Sequence, residues 1–192
     1  IPDGTRLPSF VYQRGTHITD TILDVISVLE DTGLRKAEIV RQREDLYVRC
    51  LTWADVSWRI GDQIHFSVTD DFLLSNLSRL SLLITPTNSK CDATGEHWGN
   101  KPIPIPYANK VHNAVRRIAQ RWVRLGVSDL TSEQRQHLPL FANERGYAYE
   151  PEQMDRFHND MLKFVCPLLA AFLSLHSYRI RLAARLRKAG AR

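Results

Sequence analysis

Apolar residues recur at three- and four-residue spacing through most of the chain, which is typical of helices with one buried face. Convincing alternation of apolar and polar positions, the signal of a half-buried strand, is absent. The pattern therefore predicts a mainly α fold, an irregular bundle of five to six helices. The longest apolar stripes lie within residues 19–31, 34–60, 71–84 and 108–125.

Two further helices are predicted towards the C-terminus. Thr131 and Gln134 form a capping box that opens a short helix ending before Pro139. A long, basic helix is predicted over residues 152–190, because Pro151 suits the first turn of a helix. Pro167 lies inside this pattern and is expected to kink the helix or split it in two.

Proline and glycine mark two irregular segments. Residues 1–15 predict an extended N-terminal arm, and residues 16–192 a single α-helical domain. Residues 85–106 predict a long, proline-rich loop, whose final part should be extended because proline fixes φ. Residues 65–68 fit a short strand or a loop equally.

Charge is distributed unevenly along the chain. The net charge is +5, yet residues 97–128 hold six Lys or Arg and no acid, and residues 161–192 hold seven and no acid. Such clustering produces a local positive potential that a uniform distribution would not. Two basic segments in an otherwise mildly acidic chain indicate an anionic partner.

The cations fall on helical faces. Cations arranged in this way favour binding to a phosphate backbone, because each neutralised phosphate releases condensed counterions. Trp98, in the proline-rich loop, could stack on a base or fill a pocket of a neighbouring subunit. The predicted contact residues are Lys110, Asn113, Arg117, Gln120, Arg121 and Arg124 on the first basic helix, and Arg181, Arg185, Lys188 and Arg192 on the second.

These features predict a non-enzymatic protein that binds the backbone of RNA or DNA, one version being a self-assembling, coat- or nucleoprotein-like homo-oligomer. Reversing Arg117 and Arg121 to glutamate is then expected to abolish binding without loss of helicity. Two alternatives remain open: an adaptor that binds an acidic protein, and an arginine-rich helix lying on an anionic membrane. The longest apolar run, residues 164–175, is too short to span a bilayer.

Arg59 and His65 provide a different hypothesis. Their R-x5-H spacing resembles the short catalytic motif of HEPN-type ribonucleases, which are α-helical and of comparable size. The resemblance implies that the arginine and the histidine act on the RNA phosphate and 2′-hydroxyl. It covers seven residues, and Gly61 stands inside the motif where the family usually carries a polar residue.

No motif indicates a cofactor or a metal. Cys91, His97 and His112 are too widely spaced for structural zinc and lack a fourth ligand. There is no Walker loop, GxSxG or HExxH sequence. Three cysteines without a CxxC pair predict a reducing compartment, cytoplasmic or nuclear, or the interior of a virion.

Overall fold

A computed structural model describes residues 18–39, 50–86, 99–110, 112–143 and 146–190. The predicted N-terminal arm, residues 1–15, lies outside these ranges. In chain order the elements are α1 (Ile18–Thr32), β1 (Val56–Ile60), β2 (Gln63–His65), α2 (Asp70–Asn76), β3 (Ser81–Ile84), β4 (Ile103–Pro106), α3 (Ala114–Leu125), α4 (Ser132–His137), α5 (Pro151–Val165), α6 (Pro167–Ala170) and α7 (Leu175–Lys188).

The prediction of an irregular helical bundle is wrong, because the strands form a four-stranded antiparallel sheet in the order β2-β1-β3-β4. The fold is mixed α/β. One row of the sheet runs through three buried side chains, since Trp58 pairs with Leu82 and Leu82 pairs with Ile105. Alternate residues point away from this row, as the pleat requires.

The predicted helix over residues 34–60 contains a β-hairpin instead. Apolar Val56, Trp58 and Ile60 alternate with polar residues, and Ile60 pairs with Gln63 across a two-residue turn. Gly61 occupies the turn with φ of +55°, a conformation that glycine adopts without steric cost. Helical spacing and strand alternation overlap in this stretch, and pairing with β3 decides between them. The middle of the predicted helix lies outside the described residues.

Two more predicted segments contribute strands. The helix expected over residues 71–84 ends at Asn76, and its aliphatic second half forms β3, a central strand. The last four residues of the proline-rich loop form β4, with Ile105 buried and Pro104 and Pro106 exposed. Prolines are tolerated there because β4 is an edge strand, where missing N–H donors do not break a ladder. Residues 87–98 lie outside the described part.

Local signals mark the ends of several helices, and the predicted capping box of Thr131 and Gln134 is confirmed. Gly33 follows α1 with φ of +70°, and its N–H donates to the Leu29 carbonyl at 3.0 Å. Gly126 ends α3 in the left-handed conformation. Thr131 Oγ1 accepts from the Gln134 N–H at 3.2 Å, and the Gln134 side chain accepts from the Thr131 N–H at 2.9 Å. These local signals depend on few neighbours, so the sequence specifies them.

The predicted C-terminal helix is broken twice. Cys166 leaves the helical conformation (φ −150°, ψ 71°), and Pro167 begins α6 as its first residue. A second break at Ser174 (φ −132°, ψ 169°) precedes α7. The break at Pro167 was expected from its missing N–H, whereas no proline marks the second break.

The core lies between the sheet and α3. Trp122 of α3 makes edge-to-face contacts with Trp53 at 5.6 Å and with Trp58 of β1 at 6.1 Å between ring centroids. All three indoles are buried. Helix α1 packs against α3, α5 and α7 and so joins the sheet layer to the C-terminal helices.

Side-chain truncations on β4 test the sheet. Ile105→Ala is expected to lower the free energy of unfolding by about 2–5 kcal/mol, because it leaves a cavity beside Leu82. Pro104→Ala, one residue away on the exposed side, is the matched control and should cost within about 0.5 kcal/mol. Urea denaturation measures both changes. Equal losses of unfolding free energy in the two variants would contradict the alternation of buried and exposed side chains along β4.

Candidate nucleic-acid interface

The basic side chains of α3 converge on one carboxylate of α1. Arg117 Nε lies 2.6 Å from Asp24 Oδ1, and an Arg121 guanidinium nitrogen lies 3.2 Å from Asp24 Oδ2. Arg124 reaches Asp24 at 3.5 Å and Asp20 at 3.2 Å. The contacts to Asp24 are buried between α1 and α3, whereas the pair of Arg124 with Asp20 is partly exposed. Of the three arginines, Arg121 is buried and Arg117 largely covered, while the Arg124 side chain stays 32% exposed.

Arg121 is the most enclosed of these cations. Its side chain is fully buried, and its remaining N–H groups donate to the carbonyl oxygens of Leu140 at 3.0 Å and Ala142 at 3.3 Å and to Thr21 Oγ1 at 3.1 Å. The guanidinium also lies 5.8 Å from the centre of the Phe141 ring. A buried charge needs such complete compensation. Arg121 therefore joins α1, α3 and the segment after α4.

Burial acts on both members of this pair. It raises the pKa of Asp24 above its ordinary value, and the nearby charges of Arg121 and Arg117 oppose that rise. It also lowers the pKa of Arg121, and the Asp24 carboxylate counteracts that change. Each group therefore depends on the other to remain charged away from water.

Removing the Arg121 side chain tests whether the buried pair depends on both charges. Arg121→Ala is expected to reduce the free energy of unfolding by about 3–5 kcal/mol, because the charge and carbonyls that it satisfies stay buried. Gln120→Ala, on the exposed side of the same helix, should change it by less than about 0.5 kcal/mol. Urea denaturation compares them. A loss below about 1 kcal/mol for Arg121→Ala would contradict a structural role. The reversal of Arg117 and Arg121 would accordingly disrupt the fold and is unsuitable for testing binding.

The other predicted contact residues around α3 differ in their exposure to solvent. Asn113 is buried as the N-cap of α3, its Oδ1 accepting from the Arg116 N–H at 3.4 Å and its Nδ2 donating to the Pro106 carbonyl at 3.3 Å. Gln120 is exposed. Lys110 is exposed too, but the helix begins at Ala114 and not at residue 108, so Lys110 precedes it. Trp98 and Arg192 lie outside the described residues.

The cations of α7 face solvent instead. Arg185, Arg187 and Lys188 are exposed, and within the described ranges no carboxylate lies at ion-pairing distance from them. Arg181 is exposed and contacts Glu30 of α1 at 2.8 Å. Arg181, Arg185 and Lys188 follow one another at i, i+4 and i+7, which puts them on one side of the helix. This side of α7 is the part of the predicted interface that can reach a ligand.

An exposed apolar surface adjoins α7, and the sequence did not predict it. The last two residues of α5 and the turn that follows carry exposed apolar side chains, namely Phe164, Val165, Leu168, Leu169 and Phe172. Periodicity identifies apolar residues but not the element that covers them, so the exposure has no signal in the sequence.

Arg59 and His65 do not form the active site that the ribonuclease resemblance implied. They lie on the paired strands β1 and β2, where His65 pairs with Trp58 and Arg59 pairs with Ile64. Directly paired residues share a face and neighbours alternate, so the arginine and the histidine point to opposite faces of the sheet. His65 packs on Phe72 with ring centroids 4.9 Å apart. The resemblance therefore stops at the spacing.

A pocket of about 510 Å³ opens between the turn after α1, α5 and the start of α7, also unforeseen. Lys36 and Asp155 form a salt bridge at its edge, 2.5 Å apart. His158 lines it, buried, with Nε2 3.1 Å from the Tyr178 hydroxyl. Burial lowers the pKa of His158 below its ordinary value of 6.5, with Asn159 and Asp155 opposing the change.

The buried imidazole gives the fold a pH dependence. Because the pKa of His158 is lowered in the folded protein, the unfolded chain binds a proton more readily below about pH 6.5, so acidification favours unfolding. We expect Tm to fall between about pH 7.5 and pH 5.5, and less so in His158→Gln. Thermal denaturation followed by circular dichroism measures this, with His176→Gln, exposed in the same pocket, as control. An equal fall in Tm in His158→Gln and in the wild type would rule out His158 as the origin of the pH dependence.

The described ranges contain neither a metal-binding cluster nor a membrane-spanning helix. No group of three or more His, Cys, Asp or Glu side chains is placed to hold a metal ion there. Cys91 and His97 of the weak candidate set lie outside those ranges. Among the described helices, none combines the length and the apolar character that crossing a bilayer demands.

Comparisons of the chain with protein-family models, curated proteins and solved structures found no match.

Proposed function

We propose that the protein binds the phosphate backbone of a nucleic acid through the exposed side of α7, without catalysing a reaction. One observation carries the proposal: Arg181, Arg185 and Lys188 line a solvent-facing side of a helix that contains no acidic residue. Each phosphate that such a side chain neutralises releases condensed counterions, which supplies affinity that is independent of base sequence.

The surface is narrower than the two-helix interface predicted from the sequence. We leave Arg117, Arg121 and Arg124 of α3 out of this surface, because each of them pairs with Asp24 or Asp20 of α1. Helix α7 differs, since of its basic residues Arg181 pairs with an acid of α1 while Arg185 and Lys188 have no such partner in the described structure. The guanidinium fork of arginine also matches the geometry of phosphate oxygens.

Few contacts imply modest, salt-dependent binding. Two or three phosphates neutralised per chain should give a slope of log K against log salt of about −2 to −3 for duplex DNA. No base-reading element accompanies these cations in the described residues, so discrimination between sequences is expected to be small.

Charge reversal on α7 tests the proposal. Arg185→Glu with Lys188→Glu should weaken binding of a labelled duplex and a labelled single strand by about a hundredfold or more at low salt, because two attractions become repulsions. Fluorescence anisotropy measures it. The control, Arg79→Glu with Arg156→Glu, reverses two exposed cations elsewhere and changes the net charge equally. Circular dichroism verifies folding.

Three outcomes decide between the classes of partner. Selective loss in the α7 variant supports the proposal. Equal loss of affinity in both variants would mean that net charge alone accounts for the binding, which contradicts a defined surface. Absence of binding by the wild-type protein at physiological ionic strength would favour the alternative of an acidic protein partner for the same side chains.

A further inference from the structure

The turn that joins α5, α6 and α7 carries the largest exposed apolar side chains of the described structure. Phe164 is 91% exposed, Leu168 86% and Phe172 80%, with Val165 and Leu169 beside them. We refer to these five residues as the apolar patch. The other exposed large apolar residues of the described ranges are spread over distant positions, so this concentration within nine consecutive positions requires its own explanation.

The patch rests on an ordered support. Leu162 before it and Leu175 after it are buried and fasten both ends to the core. Between them the Leu169 N–H donates to the Cys166 carbonyl at 3.0 Å, and the Phe172 N–H donates to the Leu169 carbonyl at 2.9 Å. The exposed side chains therefore project from a compact turn whose position is fixed, as a binding surface requires.

The size of the patch fits a small protein interface. At roughly 150–250 Å² for an aromatic side chain, the two phenylalanines alone present on the order of 300 Å². The three aliphatic residues bring the patch to the order of 600 Å², the upper end for a typical monomer. Two such patches in contact would bury on the order of 1,200 Å², the lower limit of standard interfaces. That area suits a weak, concentration-dependent dimer.

The absence of charge within the patch allows a second copy to cover it. Residues 164–175 contain no charged side chain, so two copies can meet without burying a charge. Asp160 and Lys163 form an exposed ion pair at 3.6 Å, and Asp160 shares a helical face with Phe164 one turn away. This pair places a balanced polar rim beside the patch, which is usual for protein interfaces.

We propose that the apolar patch is the contact surface of a homodimer, in which the patch of one chain packs on the same patch of a second copy. A twofold axis makes one surface self-complementary, so no second binding site is needed. The proposal stands apart from nucleic-acid binding, because it depends on different side chains and can be tested without a ligand.

The oligomeric state over a wide concentration range tests the dimer. Sedimentation velocity on the full chain should show a weight-average mass that rises from the monomer value towards twice that value. Changing Phe164, Leu168 and Phe172 to serine should raise the dissociation constant by more than about tenfold, because the centre of the contact is removed. Phe66→Ser, an exposed aromatic (69%) on another part of the surface, is the matched control and should dimerise as the wild type does.

The remaining outcomes are equally decisive. A wild-type protein that stays monomeric throughout, or a serine variant that dimerises unchanged, overturns the proposal. Monomeric protein that cosediments with phosphatidylserine-containing vesicles, with binding lost in the serine variant, would assign the patch to a lipid surface instead. Should the triple variant lose its circular dichroism signal, Leu168→Arg alone repeats the test at an 86% exposed position.

Discussion

The architecture depends on a buried carboxylate, Asp24, held between arginines of a second helix. Taking these charges out of water is costly, and the cost is met only where α1 and α3 lie at the distance that brings guanidinium nitrogens to 2.6 and 3.2 Å from its oxygens. The network fixes the position of α3. Trp122 of the same helix then packs on Trp58 of the sheet, so the charge network and the apolar core constrain each other.

This constraint also determines where function can lie. The most strongly amphipathic basic helix of the described residues contributes Arg117, Arg121 and Arg124 to the ion pairs that hold the fold together, and two carboxylates of α1 offset most of their charge. The exposed cations of α7 and the apolar patch before it lie instead in the last quarter of the described chain. One surface suits phosphate and the other suits a second copy. The two surfaces are adjacent in the sequence. A small protein that both self-associates and binds nucleic acid is therefore a coherent proposal.

Local signals in the sequence anticipated local structure. Helix α1, the reciprocal contacts of Thr131 and Gln134 and the break at Pro167 were all predicted, because each depends on residues a few positions apart. The sheet was missed. The residues of β1 and β3 also fit helical spacing, and only their mutual hydrogen bonding, some 25 positions apart in sequence, makes them strands.

The sequence by itself determined the composition of the faces: which residues are apolar, which are basic, and where a capping box or a proline opens a helix. Tertiary structure alone decided the direction in which those faces point. Arg121 and Arg185 look equivalent in the sequence, yet one is fully buried against Asp24 and the other is exposed. The physical reason is that burial and ion pairing are properties of non-local contacts, which charge counts and periodicity do not contain.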